Sequence, residues 1–328
     1  MSNEYEESIK KEFAEREGIT EVTTDSKVTD LGQVDSHRMR RVDPDDPEVK
    51  RLNELVGYIK LDLGLLPSGG RFYREDFEIH IRAARVGEIR DFSTMEETNV
   101  RDIDEKLNSI IVQCSRIMYG TQRGSYKDIL EEDRIYVILS IRELTFKEGE
   151  HKLMMPVKDR GCTTGTCKAQ DSVELKTQNL QFNEEDEVIA KYYDPGTKSY
   201  AVETKNHGVI YMAPPTIGVM RAVTDYARKK EEAGQSWDKS MLMILPYMQR
   251  EWRGWAEREI FSAITEFQGW SATKYSLAYR LAEKMKVGVK PEFTFPCKSC
   301  GAEITVPLSF PGGIKSLFII QDLSSELL

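Results

Sequence analysis

Large apolar side chains are sparse over the first 48 residues, where Glu, Lys, Asp and Arg dominate. Such a stretch buries too little apolar area to offset chain entropy, so residues 1–48 are expected to form a charged, flexible arm, with one helix possible over 4–16. Pro44 and Pro47 mark its end. Beyond Val56 the pattern becomes strand-like over 58–61 and 77–82, on either side of the turn chemistry Leu66-Pro67-Ser68-Gly69-Gly70. This predicts a small antiparallel β unit. After Asp102, apolar residues recur at helical spacing at Ile103, Leu107, Ile110, Ile111, Cys114, Ile117 and Met118, and Gly120 stops the run. A second amphipathic helix is predicted over 126–145, and packing the two helices together buries both stripes.

The second half repeats these signals in a different order. A strand over 152–157 and short strands at 173–175 and 180–182 flank the first cysteine pair. A hairpin of 188–193 with 200–204 is closed by Asp194-Pro195-Gly196-Thr197. Helices are predicted at 219–230, 239–245, 252–267 and 273–285, a block that holds all four tryptophans, Trp237, Trp252, Trp255 and Trp270. These serve either a buried aromatic core or a partner-facing surface. Strands return at 293–295, 304–306 and 317–320. The pattern therefore predicts an α+β fold of small antiparallel β units and amphipathic helices, with a mainly helical block from the middle to the late chain. The domains expected are an arm at 1–48, a β-hairpin and helical domain at 49–160, and a domain at 161–328 that carries the helical block as an insertion.

Composition narrows the function classes. The chain has 328 residues, 40% apolar and 31% charged, with a formal charge of −9. No apolar run approaches the roughly 18 to 20 residues of a membrane span, and the charged first residues do not resemble a secretory signal, so a cytoplasmic protein is expected. The negative charge argues against a general nucleic-acid binder. Enzyme signatures are missing: there is no His-Glu-x-x-His, no Gly-x-Ser-x-Gly and no dinucleotide fingerprint, and Gly69-Gly70 lacks the Gly-Lys-Ser/Thr of a phosphate loop. The pairs Glu131-Glu132 and Glu184-Glu185 read as solvated faces, as do the basic clusters at 38–41 and 228–230. Cys114, on the apolar stripe, reads as a core filler.

The definite chemistry lies in the other four cysteines. Pro296-Cys297-Lys298-Ser299-Cys300-Gly301 is a knuckle, a tight turn that points two sulfurs the same way, with a glycine placed for positive φ. Tetrahedral zinc needs two more ligands, and Cys162 and Cys167 sit in a second glycine-containing turn. Cys162, Cys167, Cys297 and Cys300 are thus candidates for one closed, structural zinc site, a split zinc-ribbon-like knuckle pair. The rival readings are a redox dithiol, which would want a helix N-terminus beside the thiol, and unliganded structural thiols. His151 and His207 are the available substitutes for a cysteine that does not ligate.

The order Leu66-Pro67-Ser68-Gly69-Gly70-Arg71-Phe72-Tyr73, then Ile79-His80-Ile81-Arg82 with Val86-Gly87-Glu88-Ile89, the helix carrying Cys114, Leu130-Glu131-Glu132-Asp133-Arg134 running into Ile141-Arg142-Glu143, and the terminal knuckle resembles the T4-type bacteriophage baseplate protein family, which includes hub assembly proteins of contractile-tailed phages. The resemblance spans roughly residues 57 to 320. It departs from the usual pattern in the four residues between Cys162 and Cys167, where two are usual, and in its long middle insertion. It implies a tail protein that acts through contacts with other baseplate or tail proteins, found in the host cytoplasm during assembly or in the tail baseplate of the virion, with no catalytic residues. The alternative from another class is a zinc-ribbon nucleic-acid binder using Lys290, Lys298, Lys315 and nearby phenylalanines.

Overall fold

The computed structural model describes residues 47–146, 151–156, 172–236, 239–248, 256–285, 287–297, 300–310 and 312–319. All belong to one unit, which begins at Asp45. The architecture is α+β: eight α-helices among the described residues accompany four small antiparallel sheets. The expected arm lies outside the described residues up to position 46, and Pro47 opens a helix, α1 (Pro47–Glu54).

The first sheet has the order β1 (Ile59–Lys60), β2 (Phe77–Ile81), β3 (Ser115–Tyr119), β4 (Gln122–Arg123). The antiparallel pairing of β1 with β2 matches the sequence expectation, in the register Ile59↔Ile81 and Lys60↔His80. The next stretch corrects it. Helix α2 (Val86–Ser93) is followed by α3 (Val100–Cys114), whose first amides are capped by the Asn99 side chain. At Ser115 the backbone turns extended, with φ −123° and ψ 161°, so Ile117 and Met118 lie on β3 and not on the helix. Their spacing suits either element. Pairing decides, because β3 runs beside β2 over five residues from Phe77↔Tyr119 to Ile81↔Ser115.

Helix α4 (Arg134–Thr145) also starts later than its apolar pattern predicts, after two 3-10 turns at Tyr126–Asp128 and Glu131–Asp133. Eight of its twelve residues are buried, so its apolar positions spread around the helix instead of forming a stripe. Helices α3 and α4 pack together as expected.

Further along, β5 (Met154–Pro156) pairs with β6 (Ser172–Glu174), and β10 (Glu292–Pro296) with β11 (Glu303–Pro307). Between these two hairpins lies a third sheet, β7 (Tyr193–Asp194), β8 (Ser199–Thr204), β9 (Gly208–Met212). The Asp194 turn forms as predicted, its carboxylate accepting from the Gly196 amide at 2.9 Å. Val188 belongs to a short helix, α5 (Glu187–Ala190), capped by Asp186, and not to a strand. Helices α6 (Ile217–Glu232), α7 (Glu257–Gln268) and α8 (Ala272–Lys284) match three of the four predicted. The stretch 239–245 forms 3-10 turns instead, where Pro246 interrupts any continuing helix. Residues 314–317 likewise form a 3-10 turn and not a strand, which puts both Leu317 and Phe318 inside. An alternating strand would have exposed one of them.

Two apolar cores result. The first joins the β1–β4 sheet, α2, α3 and α4 to both hairpins and to Leu317 and Phe318, whose ring meets Phe92 edge-on at 5.1 Å. The second joins the β7–β9 sheet to α6, α7 and α8. The cores meet where α6 starts: Gly218 lies so close to Lys127 that an added Cβ would approach its Cβ to 2.9 Å and its carbonyl oxygen to 3.0 Å.

Candidate metal centre

The β10–β11 hairpin carries Cys297 and Cys300 at its tip. The strands pair out to Pro296↔Glu303, and beyond that the Cys297 amide donates to the Ala302 carbonyl at 2.8 Å. The Gly301 amide then turns back onto the Cys297 carbonyl at 2.8 Å, with Gly301 at φ +73°. A side chain at 301 would meet nothing within 4 Å, so glycine is required by backbone conformation and not by space. This is the tight turn expected of a knuckle. Cys297 is 2% exposed and Cys300 lies open on the surface.

The β5–β6 hairpin flanks the other pair. Its strands close at Pro156↔Ser172, and the connection between them, 157–171, contains Cys162 and Cys167, which lie outside the described residues. The two hairpins are neighbours. Phe182, which follows β6 and the 3-10 turn Thr177–Asn179, bridges to Val289, just before β10. Around that bridge the Lys290 amide donates to the Gln181 carbonyl at 2.7 Å, the Gln181 side chain to the Thr294 carbonyl at 2.9 Å, and the Asn183 amide to the Gly288 carbonyl at 2.9 Å. A cleft of 610 Å³ runs between them, walled by Met154 and Val173 on one side and by Phe293 and Phe295 on the other.

The donor chemistry fits half of a tetrahedral zinc site: two thiols on one turn, one of them on the buried side. Among the described residues, the knuckle included, no group of three or more His, Cys, Asp or Glu is placed to hold a metal ion. Of the histidine substitutes, His151 packs edge-on against Phe146 at 5.2 Å three residues before β5, and His207 sits in the β8–β9 turn of the other core.

The first core is pinned by polar groups that composition did not reveal. Asp133 is fully buried and accepts from the Ser68 amide at 2.9 Å, the Ser68 hydroxyl at 2.6 Å and the Tyr73 hydroxyl at 2.7 Å. Tyr73 in turn accepts from the Leu130 amide at 3.0 Å. Burial pushes the Asp133 carboxyl and the Tyr73 hydroxyl up from their ordinary values. Glu88 pairs with Arg82 at 2.5 Å, and that hydrogen bond holds its carboxyl at about 2 against the cost of burial. Cys114 is fully buried as expected. Its thiol donates to Glu88 at 3.3 Å and is pushed up to about 12, first by burial and then by the Glu88 charge.

The glutamate pairs are not the uniform solvated faces the sequence suggests. Glu184 is exposed, but Glu185 is gripped by Arg71 through two bonds of 2.8 and 3.0 Å and accepts from the Tyr200 hydroxyl. Glu132 keeps its Oε2 sealed from solvent without a hydrogen-bond partner, and burial pushes it up to about 8. A signal was available in the sequence, since Glu132 and Asp133 lie between Leu130 and the apolar run of α4.

The basic stretch 228–230 is surface charge as expected: Arg228 pairs with Asp225 and Glu232, and Lys229 with Glu257. The cluster at 38–41 lies outside the described residues, as do Trp237, Trp252 and Trp255. Trp270 is half-buried against Phe267, at 4.4 Å between ring centroids, with the Lys274 ammonium 4.0 Å from its ring centre. Near the knuckle, Lys290 faces Glu184 at 3.9 Å and the Lys315 amide is held by Glu97; Lys298 lies outside the described residues. No helix among the described residues is long and apolar enough to cross a membrane. Compared with protein families, curated proteins and solved structures, the chain matches none.

Proposed function

We propose that the protein is a tail baseplate or hub component, or a hub assembly factor, of a contractile-tailed bacteriophage, acting through protein–protein contacts and held in shape by one structural zinc ion on Cys162, Cys167, Cys297 and Cys300. The observation that carries the zinc clamp is the placement of two antiparallel hairpins side by side, one ending in a formed knuckle and the other closing at the base of the segment with the second cysteine pair. A split zinc ribbon would be built on two such hairpins. A closed four-thiolate site leaves no position for water, so the metal would fasten the fold and take no part in chemistry.

The phage reading is supported by the order of segments that resembles the baseplate family. The protein would act in the host cytoplasm during assembly and, as a resident component, in the tail baseplate of the virion. The nucleic-acid alternative gains nothing from Lys290 and Lys315, which lie beside acidic groups. Two measurements test the reading. Purified protein should carry one equivalent of zinc, and zinc well below that, unchanged by Cys297→Ser, would reject the clamp. Mass spectrometry should find the chain in purified particles or with hub precursors from infected cells, and its absence from both would reject the phage assignment.

A further inference from the structure

A second cavity adjoins the cleft described above and shares Lys152, Glu174 and Lys176 with it. A cavity of 470 Å³ opens between strand β1, helix α4 and the segment after β6. Its wall includes Arg142, which is 7% exposed. One terminal nitrogen of Arg142 donates to the His151 carbonyl, and the guanidinium lies 5.2 Å from the centre of the Phe146 ring. Its Nε is buried and has no hydrogen-bond partner, and no described carboxylate forms an ion pair with it. The two nearest acids are engaged elsewhere. Glu143 accepts from the Thr177 amide and hydroxyl at 2.6 and 2.7 Å, while Glu174 lies 3.8 Å from Lys152 and 3.5 Å from Lys176.

A buried guanidinium with no ion-pair partner is poorly solvated, and that burden is relieved when a carboxylate meets its planar fork. The surroundings suit such a visitor. Lys60, Lys152 and Lys176 also line the cavity, Lys60 paired with Glu78 at 2.7 Å and the other two sharing Glu174, so with Arg142 the cationic groups outnumber the carboxylates, while Ile59, Leu144 and Leu175 offer apolar wall. Strand β1 is the outer strand of its sheet and pairs only with β2 among the described residues, so its other edge is open to an added strand. A phosphate dianion fits less well, because it would also face Glu143 and Glu174.

We propose that this cavity receives an extended acidic segment of a partner protein, which adds to the edge of β1 and places one carboxylate on Arg142, with its apolar neighbours against Leu144 and Leu175. The proposal rests on the reading that the protein works through protein contacts, and it is independent of the zinc clamp.

The test uses the full-length protein and two fluorescein-labelled peptides, Val-Glu-Val-Glu-Val and Val-Gln-Val-Gln-Val, followed by anisotropy, with inorganic phosphate as competitor. The Glu peptide should bind at least about tenfold tighter than the Gln peptide, and millimolar phosphate should not displace it. Arg142→Gln should abolish the difference without lowering the thermal midpoint, since the variant also removes an unpaired buried charge. In the parent protein the Glu peptide should shift the Arg142 Nε–H resonance, a readout that stands even where the variant folds poorly. Equal affinity or no binding of the two peptides, displacement by phosphate, or an unmoved Nε–H signal would each overturn the proposal. Such a failure in a protein that still co-purifies with hub precursors would remove this pocket and leave the proposed function intact.

Discussion

The first core collects side chains from Leu66 to Phe318, whereas the second takes its own from Ile189 to Met285, a stretch enclosed within the first. The difference extends to their polar groups. In the first core, buried and half-buried carboxyl groups act as pins: Asp133 holds the loop at Ser68 and Tyr73, Glu88 holds Arg82, and Glu143 holds Thr177. In the second, ion pairs such as Arg228–Glu232 and Lys229–Glu257 stay on the surface, and the half-buried Arg71–Glu185 pair reaches the core only through the Tyr200 hydroxyl. A core that must bring distant segments together incurs loop-closure entropy before any contact forms, and directional bonds fix which segments meet. A core drawn from neighbouring segments has less need of them. The proposed zinc clamp belongs to the first kind, since 129 residues separate its two cysteine pairs.

The comparison breaks most sharply at the metal. Chelation, or Cys297→Ser, should destabilise the first core by about 5 kcal/mol or more while the β7–β9 sheet and α6 keep their amide protection longer, as hydrogen exchange followed by mass spectrometry would reveal. Simultaneous loss of protection in both cores would mean that they are one cooperative unit. Next in size, Phe318→Ala empties the contact with Phe92 and should cost about 4 kcal/mol in urea unfolding, and Phe267→Ala in the second core should cost a similar amount. If Phe318→Ala is nearly neutral, the chain end is not part of the first core's closure.

Glu88→Gln should cost about 3 kcal/mol near neutral pH, because it leaves Arg82 half-buried without its partner. The folded-state value of Glu88 lies below that of an unfolded glutamate, so this contribution is present above about pH 5 and fades as pH falls toward 2. Stability curves of parent and variant should therefore converge in acid. Glu132→Gln should act in the opposite sense. Its folded value is raised to about 8, so the parent loses stability as pH rises from about 4.5 towards 8, and the variant should be more stable by roughly 3 kcal/mol at pH 7 and equal near pH 4. A thermal-melt series across pH checks both, and a parent curve that rises with pH relative to Glu132→Gln would show that the carboxylate has found a partner.

Much of the second core was legible from residues alone. Helices α6 and α8 follow their apolar spacing and caps, with Thr216 and Ser271 accepting from the helix amides. The Asp194-Pro195-Gly196 turn forms as read, and the backbone bonds among Cys297, Gly301 and Ala302 close the hairpin end where the knuckle is expected, because this chemistry is complete within a few residues. The first core was read less well. Ile117 and Met118 fit a helix by spacing and become a strand because β2 offers a partner; Leu317 and Phe318 fit a strand and are tucked in by a 3-10 turn against Phe92.

The same division holds for the chemistry. Residue order by itself determined the mixed α+β class, the knuckle turn, the burial of Cys114 and the surface character of the charges at 228–230, since each depends on spacing or on side-chain type over one or two turns. Only the tertiary structure decided that Glu132 and Asp133 leave solvent, that Arg142 lines a cavity with no ion-pair partner among the described residues, and that the two cysteine-bearing hairpins are neighbours. Burial and long-range pairing are properties of what surrounds a residue, and for these groups the surroundings come from segments tens to more than a hundred residues away, as Ser68 does for Asp133 and Thr294 for Gln181.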